Sequence, residues 1–441
     1  MIFGNIFRYL NKNDLKTLHS SVLVNRYWCQ NTIPYLWSSP FSNRRKIHKI
    51  IPLYMTFLSD DRLDELYQKG VPKIPKNICL FDYPLLLQNL DIQLLSWAIY
   101  NWLKFEILKI KKGKIQDHKK IIYGDDDDDD AEIYYYDNNN RNENYGFLDV
   151  KMFIKLFSEL YETFESELKF LISRQRNLNK IIARNCNFEK SIFKSLMDYC
   201  NNSLSVLEFY NFRFEPMSLD LLRQCKNLKI LKLEFVKYNG SKELYRLLGQ
   251  IKFLKLKNLS LKLIDYETSY DAQYNFGPTI EEFYEIFKTN GLNLNILKLE
   301  INFEKYSEAL SIIGKNCKNL KEVEVIGNYD VKDLLIFLNQ PLNLKKLSLG
   351  SSDIDPIEIL LQIPNLIAIK KLSYFYTNWV FYTSEILNIL NNWEAPCLEF
   401  SYWCAENLLE LHEKMFINYY QERINRNLNE DKIKKMNFMI K

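Results

Sequence analysis

The residues able to do chemistry are few and scattered. Four histidines, His19, His48, His118 and His412, lie far apart in stretches of different character. None stands in a nucleophile or metal pattern: the chain has no HExxH, no GxSxG, no nucleotide-binding glycine loop and no clustered Cys/His spacing. Eight cysteines, Cys29, Cys79, Cys186, Cys200, Cys225, Cys317, Cys397 and Cys404, are spread too widely for a small disulfide scaffold. Several neighbour leucines, where a reduced thiol packs as a small hydrophobe. The aspartates Asp125 to Asp130 offer oxygen ligands, but a divalent ion needs ligands fixed around one point, and adjacent side chains of an unstructured run do not converge. The run repels itself and reads as a flexible surface insertion. The sequence thus predicts no catalytic, cofactor-binding or metal-binding residue, and a protein that acts by binding.

The elements that would present a binding surface are legible in the apolar pattern. Hydrophobic residues make up 47% of the 441 residues and aromatics 15%, enough to order most of the chain by burial. The formal charge of +4 is too balanced to imply nucleic-acid or membrane binding by bulk electrostatics, so neither is expected as a partner. There is no basic, apolar, small-residue leader and no run of about 18 apolar residues, which predicts a cytosolic or nuclear protein.

Beyond Phe153 the spacing Leu-x-x-Leu-x-Leu recurs at Leu178/Ile181/Ala183, Leu204/Leu207/Phe209, Leu228/Leu231/Leu233 and Ile251/Leu254/Leu256. It returns at Leu294/Leu297/Leu299, Leu320/Val323/Val325 and Leu344/Leu347/Leu349. The starts are 26, 24, 23, 43, 26 and 24 residues apart, and the long step contains the turn-rich DYETSYDAQYNFG, read as an insertion. Weaker units are expected from Leu366 or Ile369 and around Ala395, Leu398 and Phe400. The period-two half of each unit suits a short strand and the rest switches to helical spacing, as in Ile192 to Tyr199, Leu219 to Cys225, Glu281 to Phe287, Ala309 to Ile313 and Val331 to Leu338. Further helices are read at Ile357 to Leu361 and Ile386 to Leu390. Parallel strands with returning helices follow, around one elongated leucine core. In CKNLK, at Cys225 to Lys229 and again at Cys317 to Lys321, Cys and Leu face inward, the lysines outward, and Asn227 and Asn319 serve the turn through nearby backbone.

The N-terminal stretch is helical in pattern: Ile2, Ile6, Phe7 and Leu10 recur at helix spacing, Asn13 or Asp14 can cap a helix from Leu15, and Pro34 sits in a first turn or ends a helix. Trp28 and Trp37 fit either a core or a partner interface. The run IFRYLNKNDLKTLHSSVLVNRYWCQNTIPYLWSSPF resembles an F-box, through Ile6, Phe7, Leu10, Asp14, Leu15, Val24, Arg26 or Asn25, Trp28, Leu36 and Trp37, without the Leu-Pro that usually opens that motif. NICLFDYPLLLQNLD is similar to the opening of the repeat body in fungal F-box proteins with leucine-rich repeats, with Cys79 to Phe81 as strand and Pro84 near a helix start.

The resemblance implies an α/β chain with an N-terminal helical F-box-like segment and a leucine-rich repeat solenoid of short parallel strands and outer helices. Its expected parts are the adaptor-binding segment 1–41, a linker with first repeat-like units 42–120, an acidic and Asn/Tyr-rich insertion 121–147, and the repeat body with its C-terminal cap 148–441. It further implies a non-catalytic substrate receptor of an SCF-type ubiquitin ligase. Ile2, Ile6, Leu10, Leu15, Val24, Trp28 and Leu36 would contact a Skp1-like adaptor, cullin and RING subunits would follow through it, and outward strand residues would hold a target. The alternative is a leucine-rich repeat scaffold without ligase function.

Overall fold

The computed structural model describes residues 6–7, 9–10, 14–42, 49–68, 71–74, 79–116, 169, 172–184, 190–210, 222–234, 241–262, 279–301, 308–327, 329–340, 343–350, 371–375, 399–404, 414 and 435–440. The chain divides into two compact units, Met1–Leu178 and Asn179–Lys441.

The first unit is mainly helical. Helix α1 (Leu15–Val22) starts where Asp14 accepts the Thr17 N–H at 3.0 Å. Helix α2 (Arg26–Leu36) starts where Asn25 accepts the Trp28 N–H at 2.9 Å. Each cap satisfies a backbone donor that has no partner inside its helix. Pro34 falls inside α2, and the Trp37 N–H closes the helix onto the Ile33 carbonyl at 3.0 Å. Helices α3 (Ile50–Met55), α4 (Asp60–Gln68) and α5 (Ile92–Gln116) follow, α5 preceded by the short strand β1 (Asn89–Asp91).

Cys79 to Phe81 form no strand, contrary to the sequence reading, and Pro84 lies in a 3₁₀ turn, Tyr83–Leu86. The extended residues come ten positions later, because the Gln88 and Asn89 N–H groups both donate to the Ser38 carbonyl (2.9 Å each) and Asp91 then accepts the Leu94 N–H (3.2 Å) to open α5. The backbone donors decide the location of the strand, and hydropathy does not register them.

The second unit alternates strands and helices. Its strands are β2 (Lys180–Arg184), β3 (Val206–Tyr210), β4 (Ile230–Glu234), β5 (Asn258–Lys262), β6 (Ile296–Glu300), β7 (Glu322–Ile326), β8 (Lys346–Gly350), β9 (Lys371–Phe375), β10 (Glu399–Cys404) and β11 (Lys435–Ile440). Each pairs in parallel with the next in chain order, the arrangement of a solenoid. Helices α6 (Lys190–Cys200), α7 (Ser241–Gln250), α8 (Ile280–Asn290), α9 (Ala309–Asn316) and α10 (Val331–Leu338) return the chain. Helix α8 opens with a complete capping box between Thr279 and Glu282.

The core is a set of aligned columns. Ile181, Leu207, Leu231, Leu259, Leu297, Val323 and Leu347 stand in register and are buried. So do Ala183, Phe209, Leu233, Leu261, Leu299, Val325 and Leu349, with Leu178, Leu204, Leu228, Leu256, Leu294, Leu320 and Leu344 buried ahead of the strands. One sequence frame is corrected. Leu254 is 65% exposed and outside any strand, and Leu256/Leu259/Leu261 replace Ile251/Leu254/Leu256. The starts at Leu228, Leu256 and Leu294 are then 28 and 38 residues apart. Two overlapping frames share Leu256, and strand pairing selects the one whose residues meet Leu231 and Leu297.

The columns are tied by repeated backbone bonds. Ser205 and Val206 N–H groups share the Asn179 carbonyl, Lys229 and Ile230 share Ser205, Lys257 and Asn258 share Lys229, and Asn295 and Ile296 share Lys257. The pattern continues with Lys321 and Glu322 on Asn295, and Lys345 and Lys346 on Lys321, all between 2.7 and 3.1 Å. Asn227 and Asn319 extend this cross-tie. Their side-chain amides donate to the Asn202 and Leu292 carbonyls of the preceding turn (2.6 and 2.7 Å), so each holds a neighbouring unit and not its own backbone as expected.

Of the expected helices, Leu219 to Cys225 is described only from Leu222, with a 3₁₀ turn at 222–224, while Ile357 to Leu361 and Ile386 to Leu390 lie outside the described residues. Strand β9 fits the frame from Ile369, since Leu372 pairs in register with Leu347. Phe400 pairs in turn with Leu372 and so takes the second apolar position of its unit, where the frame Ala395/Leu398/Phe400 had it third. Helix α7 and strand β11 were not anticipated. The Asp125 to Asp130 run and DYETSYDAQYNFG lie outside the described residues.

Candidate functional site

The outward side of the strands carries an ordered charge pattern. Alternation sends Ile182, Glu208, Lys232, Ser260, Lys298, Glu324 and Ser348 to the side opposite the leucines, one per strand and in register. Glu208 lies between two lysines, Lys180 at 3.1 Å and Lys232 at 3.3 Å, and accepts the Tyr210 hydroxyl at 3.1 Å. The Arg184 guanidinium sits 4.9 Å over the Tyr210 ring. Further along, Lys262 meets Glu300 at 2.5 Å and Lys298 meets Glu324 at 2.6 Å.

These pairs set the local ionisation. Burial pushes the Glu208 carboxyl up, but the Lys180 hydrogen bond, the Lys232 and Lys180 charges and the Tyr210 hydroxyl more than offset it, and the net shift is down. Glu300 moves up, because burial and the Glu234 and Glu324 carboxylates outweigh Lys262. The Tyr210 phenol is raised by burial and by Glu208. A charge matched to a neighbour in this way is suited to holding a surface of defined potential, and each exchange with a partner's charge is salt-sensitive.

The N-terminal helices present a second, apolar surface. Phe7 is buried, edge-on to Trp28 at 5.4 Å between ring centroids and 6.1 Å from Tyr35. Of the residues expected to meet an adaptor, Ile6 and Val24 are exposed, whereas Leu10, Trp28 and Leu36 are half-buried. Leu15 is the first residue of α1, and Ile2 lies outside the described residues. Sequence reasoning missed Tyr9, Leu23 and Tyr27, all exposed. Leu23 follows the last residue of α1 and Tyr27 is the second residue of α2, so the tight turn between the helices is the signal that could have found them. Trp37 stacks 4.2 Å from Tyr83 and packs near Tyr54, within an aromatic cluster. His19 is exposed in the last turn of α1.

No protein-family model matches the chain, and no curated protein matches it significantly. Among the described residues no group of three His, Cys, Asp or Glu side chains could hold a metal ion. Cys200, Cys225 and Cys317 are buried beside the leucine columns, and burial raises each thiol to about 12. The Cys225 thiol lies 3.3 Å from the Met197 sulfur, a packing contact. Cys186 and Cys397 lie outside the described residues. Among the described residues no helix is long and apolar enough to cross a membrane.

Proposed function

We propose that this chain is the substrate-recognition subunit of an SCF-type ubiquitin ligase, of the F-box and leucine-rich repeat kind. Its N-terminal helices bind a Skp1-like adaptor and through it the cullin and RING subunits, while the strand face holds a target protein. The ubiquitin-transfer chemistry belongs to the partners, and the chain contributes proximity, which raises the target's effective concentration. One observation carries this reading: Ile6, Tyr9, Leu23, Val24 and Tyr27 are apolar or aromatic side chains exposed within the same short segment that resembles an F-box. Exposed anchors of this kind dominate protein interfaces when a partner covers them.

The test is co-purification with Skp1, comparing the whole chain with Val24→Asp and Tyr27→Asp. Both side chains are exposed, so the variants keep the fold while losing at least tenfold in adaptor affinity. Trp28 is a poorer probe, because it also packs on Phe7. A folded protein that fails to retain Skp1 in a quantitative pull-down overturns the reading. The alternative, a leucine-rich repeat scaffold without ligase function, would capture its target and leave Skp1 behind.

A further inference from the structure

The near-neutral total of charges conceals a sorted distribution. Strands β4 to β8 pair first residue to first residue, Ile230 with Asn258, then Ile296, Glu322 and Lys346, so their helix-to-strand turns end level along one edge. The residues just before these strands are Lys229, Lys257, Asn295, Lys321 and Lys345. At the spacing of neighbouring strands, about 4.8 Å, they form a row about 19 Å long. Their own backbone N–H groups make the cross-ties already described, at 2.7 to 2.8 Å, which fixes the row in place. All four lysines are exposed, and no described carboxylate pairs with them.

The same edge is free of acid. No Asp or Glu occurs in 222–230, 250–258, 290–296, 316–321 or 343–346, the first carboxylate being Glu322 inside β7. Lys226, Lys252 and Lys255 add cations at the turn tips, where Leu254 and Leu292 stand 65% and 62% exposed on consecutive turns. Part of this basicity is structural: Lys318 donates to the Gly314 carbonyl at 3.0 Å and Lys255 to Asn227 at 2.5 Å. Helix C-termini also favour nearby cations. Neither effect accounts for the row, which follows the turns and whose ammonium groups cap no helix.

We propose that this lysine row, with Leu254 and Leu292, docks the second unit on an anionic lipid surface. A level edge meets a planar headgroup layer along its whole length. Lysine is a compact hydrated point charge that suits diffuse attraction to such a layer, without the bidentate geometry of arginine. The leucines choose between polyanions: a phosphate backbone leaves them uncovered, whereas the headgroup and acyl boundary buries them. The turn segments carry no exposed aromatic ring for stacking a base, since Phe253 is buried. This surface is separate from the adaptor-binding helices and stands or falls independently of them.

The test is sedimentation of the whole purified chain with phosphatidylcholine vesicles, with and without about 30% phosphatidylserine. Binding is expected with the anionic vesicles alone, and it is lost as salt rises from about 0.1 M to about 0.5 M. Single Lys→Gln changes at 229, 257, 321 or 345 weaken it about fivefold each. Reversal of all four to Glu abolishes it, and Leu254→Asp with Leu292→Asp lowers it. Thermal unfolding by circular dichroism checks that each variant is folded. Equal binding to neutral vesicles, or anionic binding unchanged by the four reversals, overturns the proposal. So does displacement by duplex DNA or a polyglutamate peptide combined with indifference to the two leucine changes, which would make the edge a general polyanion site.

Discussion

Glu208 and Glu300 occupy comparable outward positions and titrate in opposite directions, because one carboxylate has two lysines and the other has one lysine and two acidic neighbours. Folding favours ionised Glu208, so its contribution is fully present above the ordinary value of 4.5 and is lost as pH falls through the lowered folded value. Folding disfavours ionised Glu300, so its cost develops as pH rises from 4.5 through the raised folded value. Urea unfolding from pH 3 to pH 7 should therefore show Glu208→Gln losing ground against the parent chain as pH rises, and Glu300→Gln gaining. Asn290 is the other decisive residue. Buried at the end of α8, its amide accepts the Phe253 N–H at 2.9 Å and donates to the Ile251 and Leu248 carbonyls at 3.1 and 3.2 Å. Asn290→Ala leaves those groups unsatisfied and should cost about 1–3 kcal/mol in the same assay. Capping by Asp14 could be read locally, because cap and donor are three residues apart. Asn290 could not, since these three partners lie 37 to 42 positions away.

At the scale of elements, strand choice is the testable point. Leu259 belongs to a buried column and Leu254 to an exposed turn, so Leu259→Ala should destabilise by about 2–5 kcal/mol while Leu254→Ala stays within about 0.5 kcal/mol. The reverse order would restore the frame expected from spacing alone. Close packing of successive turns gives a second contrast. A Cβ on Gly291 would lie 2.8 Å from the Asn316 carbonyl oxygen and the Cys317 sulfur, a backbone obstacle, while one on Gly314 would meet the flexible Gln340 side chain at 2.8 Å. Gly291→Ala should thus lower the unfolding midpoint by the equivalent of about 1–3 kcal/mol, and Gly314→Ala by less. Helix α7 was legible in retrospect from Tyr245, Leu247 and Leu248 at helical spacing after Ser241. Strand β11 could be read from the alternation Met436, Phe438, Ile440. Both were overshadowed by the Leu-x-x-Leu-x-Leu signal, which α7 lies between and β11 departs from.

Across the whole molecule, the sequence by itself determined the class of architecture. Period-two leucines followed by helical spacing, repeated along the chain, can bury their apolar faces only by stacking, and the described strands do stack in order. It also placed the cap of α1 and the inward Cys225 and Cys317, because these depend on neighbours within one turn or one strand. Tertiary structure alone decided which of two overlapping frames became β5, where the short strand before α5 falls, and that Asn227 and Asn319 tie one unit to the previous one. It also sorted charges that balance in the total, setting Lys229, Lys257, Lys321 and Lys345 in one row. The physical reason is the reach of the interaction. Hydropathy and capping act within a few residues, but hydrogen-bond register and electrostatic potential depend on distance through space, and stacking brings residues some two dozen or more positions apart to within about 5 Å.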